Sequence, residues 1–177
     1  CPPFKSVLKQ IRNAGYTLIR AMNEFIDYPI MNCNLINIIP RIRNGKLFSM
    51  TIHDNCPEGF INILKSGYEN PFNMGHIRID QDLDNDISEF GCGMTNAGGA
   101  MGTKMTVYTR LSNNCCYKVV LSYDEMARSE KSEESYQPTA MIEISEVEYK
   151  EVHPYDQGST ITIENILDSL YITTSED

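Results

Sequence analysis

The amino-acid sequence predicts an α+β domain of two layers, a mostly antiparallel sheet with helices on one face. Three observations predict it. Apolar residues recur at three- and four-residue steps through 5–32, two strand-like runs flank Asn44-Gly45, and further strand-like runs fill the C-terminal half.

Val7, Leu8, Ile11, Leu18, Ile19, Met22, Phe25 and Ile26 define one apolar face of a helix over 5–32, which Pro29 is expected to end or kink. Glu24, Asp27, Tyr28 and Asn32 lie off that stripe, with Glu24 and Tyr28 one above the other near the helix end, where a polar cleft can form. Residues 35–42 and 46–52 follow as strands, joined by a dipeptide that favours the positive φ angles of a type I′ hairpin turn. In the second strand Phe48, Met50 and Ile52 alternate with Ser49, Thr51 and His53, giving an apolar and a polar face. That strand delivers Asp54 to its end.

A short helix is expected at 58–66, closed by Gly67 as a C-terminal cap. The polar connection at 68–89 lacks periodicity, which inside a domain marks a functional lid or an insert. Gly91-Cys92-Gly93 then opens a run of small residues, Ala97, Gly98, Gly99, Ala100 and Gly102, read as a closely packed helix. A meander of strands is expected at 105–111, 117–123, 140–147 and 160–166, and no internal repeat is present.

A chain of 177 residues is long enough to bury a core without staples, so residues 1–177 are expected to form one domain. The start at Cys1 points to a processed chain or a piece of a longer protein, and it lacks the layout of a secretory signal. Hydrophobic residues at 41% with 22% charged residues fit a folded chain, and no apolar run approaches the ~20 residues of a membrane span. Six cysteines, with no CxxC pair and no histidine at zinc-finger spacing, argue against a structural zinc site. They are expected to be reduced thiols in an intracellular compartment, cytoplasm or nucleus, or a host cell if the protein is viral. A net charge of −9 argues against this segment gripping nucleic acid, whose affinity rests on clustered Lys and Arg.

Four separated signals carry chemistry together: Glu24 near a helix end, Asp54 at a strand end, Gly91-Cys92-Gly93-Met94 after a long loop, and Gly158-Ser159-Thr160 entering a late strand. A carboxylate such as Glu24 can take a proton from an attacking water. Backbone N–H groups of Gly91 to Met94 at a helix N-terminus offer donors and a positive dipole end to phosphate oxygens, and the missing side chains permit close approach.

In this order the motifs resemble those of the GHKL ATPases, the Bergerat-fold superfamily of gyrase-type topoisomerases, heat-shock chaperones, histidine kinases, MutL-type repair proteins and MORC proteins. Ala21-Met22-Asn23-Glu24-Phe25-Ile26-Asp27-Tyr28 is similar to the first motif, led by a glutamate on the first long helix. His53-Asp54-Asn55-Cys56-Pro57-Glu58-Gly59-Phe60 resembles the Asp-x-Gly-x-Gly motif, and Phe90-Gly91-Cys92-Gly93-Met94, running on to 104–109, resembles the Phe-Gly-x-Gly-Met turn. Gly158-Ser159-Thr160-Ile161 is similar to the Gly-Thr before the last strand. Asn70-Pro71-Phe72-Asn73-Met74 followed by Glu89-Phe90-Gly91 looks most like MORC-like proteins, including those of large DNA viruses.

The resemblance implies a two-layer Bergerat sandwich that binds ATP and ADP, with Glu24 as general base for hydrolysis and Asp54 accepting the adenine amine. It implies further nucleotide contacts from Asp27, Tyr28, Gly59, Gly91, Cys92, Gly93, Met94, Ser159 and Thr160, with the Ser159 or Thr160 hydroxyl supporting Asp54 and sequence register favouring Ser159. Residues 68–90 are then an ATP lid whose closure is coupled to a homodimer through the lid and N-terminal region. The family's magnesium-binding asparagine is replaced by Tyr28, a poor Mg2+ ligand because its phenol stays protonated, which leaves Asp27, Asn32 and Asn34 as oxygen donors nearby. Cys56 and Glu58 stand where glycines are expected. These departures define an alternative, a nucleotide-sensing or scaffold domain that does not hydrolyse ATP.

Overall fold

The apolar pattern at the N-terminus folds as two helices rather than one. The computed structural model describes residues 4–65, 70–73, 93–128 and 138–171. Helix α1 (Phe4–Asn13) stops before Gly15, whose φ of +70° departs from helical backbone. Thr17 then caps α2 (Leu18–Asn32), its hydroxyl accepting the Arg20 N–H at 3.2 Å. The break shifts the phase of the stripe, so Ile19 is 75% exposed while Phe25 is buried. Pro29 does not end α2. The helix runs through it to Asn32, and the Cys33 N–H closes the last turn on the Pro29 carbonyl at 2.9 Å.

Strands β1 (Ile36–Arg43) and β2 (Lys46–Asp54) form the expected hairpin, with φ of 52° at Asn44 and 76° at Gly45. The helix expected at 58–66 is a single 3-10 turn, Ile61–Leu64. The Asn70 side chain donates to the carbonyls of Ile63 at 2.7 Å and Lys65 at 3.1 Å, taking acceptors that a longer helix would use. Gly67 lies outside the described residues.

Helix α3 (Gly93–Met101) leads into β3 (Lys104–Arg110) and β4 (Cys116–Ser122), followed by α4 (Tyr123–Arg128), β5 (Ala140–Ile144), α5 (Glu146–Val152) and β6 (Ser159–Glu164). A 3-10 turn, Asp168–Tyr171, follows. Two helices stand where strand ends were expected: α4 begins at Tyr123, and Ser145 stops β5 by capping α5, its hydroxyl accepting the Glu148 N–H at 3.1 Å.

The six strands pair antiparallel throughout in the order β1-β2-β6-β3-β4-β5. This is not the simple meander expected, because the last strand inserts between β2 and β3. Register places Ile52 beside Ile161, Ile161 beside Val107, and Val107 beside Val119, forming one buried row across the sheet. Leu8, Phe25, Ala97, Ala100 and Met101 from α1, α2 and α3 belong to the same core, and α4 packs on α1. Each fully buried aliphatic side chain of that row contributes about 1.5–3 kcal/mol. The α+β sandwich expected from the sequence is thus present, with α1–α4 layered on one face. Strand alternation turns His53 and Thr160 to the other face, where α5 lies over them through Tyr149 and His153. No helix among the described residues is long and apolar enough to cross a membrane.

Candidate functional site

Asp54 ends β2 on the face that carries Met50 and Ile52, toward the helical layer, and is only 3% exposed. Its Oδ1 accepts two backbone N–H groups, from Cys56 at 2.9 Å and Ser159 at 3.2 Å. Burial raises its pKa above the ordinary carboxylate value, and these hydrogen bonds oppose the rise. The approach of β6 to Asp54 depends on Gly158. At φ +113° it lies so close to the Asp54 carbonyl and the Asn55 Cα that a side chain would collide with backbone.

Behind Ser159 the hydrogen bonding continues. Its hydroxyl lies 2.9 Å from that of Thr109, which accepts the Phe60 N–H at 3.0 Å. Gly59, at φ +54°, lies directly against the Thr109 hydroxyl and the Arg110 carbonyl. Asp54, Ser159, Thr109 and the Gly59-Phe60 backbone therefore form one buried polar chain across β2, β6 and β3. Thr109 was not foreseen, because an inward-facing threonine in a strand carries no sequence mark.

Glu24, in the second turn of α2 and not near its end as expected, since the helix continues to Asn32, is half-buried, and its carboxylate occupies the space that a Cβ on Gly93 would fill. The carboxylate therefore sits at the N-terminus of α3, the positive end of the helix. Its pKa is raised, first by burial and then by the charge of Asp27, with Arg20 opposing. Asp27 is half-buried beside it, and Met94 in the first turn of α3 packs against the core.

Not all the expected site residues converge. Ser159 and Thr160 alternate, and the Thr160 hydroxyl turns away from Asp54 to the opposite face, 2.8 Å from Nδ1 of both His53 and His153. Thr160 therefore belongs to the second face, and Ser159 reaches Asp54 through its backbone N–H and not through the expected hydroxyl, which lies against Thr109. The backbone of Tyr28 lies within α2, but its side chain, Gly91 and Cys92 fall outside the described residues. So does the expected lid at 68–90, except for Asn70 to Asn73, a turn that buries Phe72 edge-on against Phe60 with ring centroids 5.1 Å apart.

Two cysteines not expected from the sequence to act as ligands join Asp54. Cys33 at the end of α2 and Cys56 after β2 bring their sulfurs to the Asp54 carboxylate, with the three donor atoms all within 4.8 Å of one another. The chain ends carrying them are tied side by side: the Asn55 amide donates to Asn34 at 2.7 Å and accepts the Leu35 N–H at 3.1 Å. All four described cysteines are free thiols, with Cys116 buried and Cys115 half-buried beside it.

A separate open cleft of about 410 Å³ lies between the β3–β4 turn and α5, lined by Arg110, Glu146, Lys150 and Asp156 among others. Its two cations, Arg110 and Lys150, share Glu146 at 3.0 and 3.1 Å, and Asp156 supplies the second negative charge, so the lining offers no unbalanced charge to an anion.

No protein-family model matches the sequence, and no curated protein matches it significantly.

Proposed function

We propose that the chain binds ATP between α2, α3 and the adjoining ends of β2 and β6, and hydrolyses it with Glu24 as general base. The observation that carries this reading is the meeting of Glu24 and Gly93. A half-buried carboxylate with a raised pKa stands against the glycine that opens α3, so a base and a phosphate-binding helix end share one place. Asp54 supports the adenine assignment from the same side of the sheet. Both N–H partners reach its Oδ1, leaving lone pairs on the carboxylate for an exocyclic amine.

The donor set also suits a magnesium nucleotide in part. Asp27 supplies a hard carboxylate oxygen, the donor class Mg2+ takes, one helical turn from Glu24, which stays free to act as base. When bound, the ion would neutralise charge developing on the phosphates. Glu24 would hold the proton removed from water, a role its raised pKa favours because it brings the carboxylate nearer to the operating pH.

A second reading is favoured by Tyr28, which stands where a magnesium-binding amide is expected. In that reading the domain binds ATP or ADP and reports occupancy through dimerisation without hydrolysis. Calorimetry with ATP in the presence and absence of Mg2+, together with phosphate release by wild type and Glu24→Ala, separates the two. Binding with Glu24-dependent release supports hydrolysis. Binding without release supports the sensor, and no binding by the wild type removes both.

A further inference from the structure

The geometry points to a binding site for a zinc-class divalent cation formed by the sulfurs of Cys33 and Cys56 and a carboxylate oxygen of Asp54. The three donor atoms lie within 4.8 Å of one another. Tetrahedral Zn2+ with Zn–S near 2.3 Å and Zn–O near 2.0 Å needs donors about 3.5–3.8 Å apart, so a small closure suffices. Two thiolates with one carboxylate suit a borderline-soft cation and not Mg2+ or Ca2+.

The surroundings favour such a closure. The Asn34–Asn55 pairing fixes the end of α2 against the end of β2, so the segments bearing Cys33 and Asp54 are already in register. Asp54 Oδ1 is held by the N–H groups of Cys56 and Ser159, which orients the carboxylate as outer-shell partners orient a metal ligand. Cys56 and Asp54 are buried, whereas Cys33 is half-exposed and opens a path for the ion and a fourth, water ligand.

The ordinary alternative is three polar groups that only hydrogen-bond. The Cys33 thiol donates to the Pro29 carbonyl at 2.8 Å, and burial with the Asp54 charge pushes the Cys56 thiol far above its usual pKa. The same anion that resists forming a thiolate becomes a co-ligand once a cation arrives. Binding therefore releases protons and strengthens as pH rises. The site stands independently of the nucleotide reading. Where both hold, cation and adenine compete for Asp54.

The test is an anaerobic titration of the reduced chain with Co2+, without nucleotide. One cobalt per chain is expected, with sulfur-to-cobalt charge-transfer and tetrahedral ligand-field bands that Zn2+ abolishes. Cys33→Ser and Cys56→Ser should each weaken binding by about tenfold or more, and Cys115→Ser should leave it unchanged. Because Cys56 is buried and its replacement can disturb folding, alkylation of the wild type supplies a second reading: Zn2+ should slow modification of Cys33 but not of Cys115. Absence of the charge-transfer band, bands that survive in both serine variants, or an unchanged Cys33 alkylation rate would overturn the proposal.

Discussion

The hydroxyl of Thr160 lies 2.8 Å from Nδ1 of His153, and this contact fixes the protonation of two histidines. Nε2 of His153 faces the Gln157 carbonyl at 2.8 Å and must carry the proton, because a carbonyl only accepts. In neutral His153, Nδ1 then accepts the Thr160 O–H. The Thr160 oxygen is left to accept from Nδ1–H of His53, also at 2.8 Å. A second proton on His153 would break this order.

Burial pushes the His153 pKa down to about 4, and His53 is lowered by the same cause. The unfolded chain, with an ordinary histidine pKa near 6.5, takes up protons first as pH falls. The stability contributed by neutral His153 is therefore complete above about pH 6.5 and lost between there and about pH 4, up to about 3 kcal/mol. Asp54 and Glu24, whose pKa values are raised, act in the opposite sense. Urea unfolding across this range should show an acid loss that is smaller in His153→Gln, the difference isolating the histidine.

Gly158 sets the distance between β6 and Asp54. Gly158→Ala adds the strain of φ +113° to a collision with the Asp54 carbonyl, and should destabilise the fold by about 2–4 kcal/mol in denaturant titration. An effect below about 0.5 kcal/mol would mean that this junction yields without cost.

Much of the fold was legible because the decisive signals were local. Asn44-Gly45 needed two positive φ angles, and the alternation through Met50 and Ile52 fixed which way Asp54 points. The break between α1 and α2 was hidden, since apolar residues continue past Gly15 at helical spacing. Insertion of β6 beside β2 is a non-local choice that no window of sequence records. Helix α5 did carry a signal, Ser145 followed three residues later by Glu148, a capping-box spacing masked by the strand-like run before it. At the site, Asp54 stood out as a carboxylate at a strand end, whereas Glu24, expected near a helix end, lies mid-way along α2 because the helix runs past Pro29 to Asn32. Thr109 and Cys33 became neighbours of that chemistry only through tertiary packing, and alternation alone separates Ser159 from Thr160.

Glu24→Gln keeps the size of the side chain beside Gly93 but removes the proposed base. Phosphate release should fall by about 100-fold or more while ATP affinity changes little, as measured in the same preparations. A matching loss of affinity would assign Glu24 to binding instead.

ATP binding to the wild-type chain and to Asp54→Asn, followed by calorimetry, tests the central claim most directly. The buried Asp54 carboxylate is the proposed acceptor of the adenine amine, and its amide replacement presents donors where an acceptor is needed. Saturable binding by the wild type that weakens at least about tenfold in a folded Asp54→Asn is the predicted result. No binding by the wild type, or equal binding by both proteins, would contradict it.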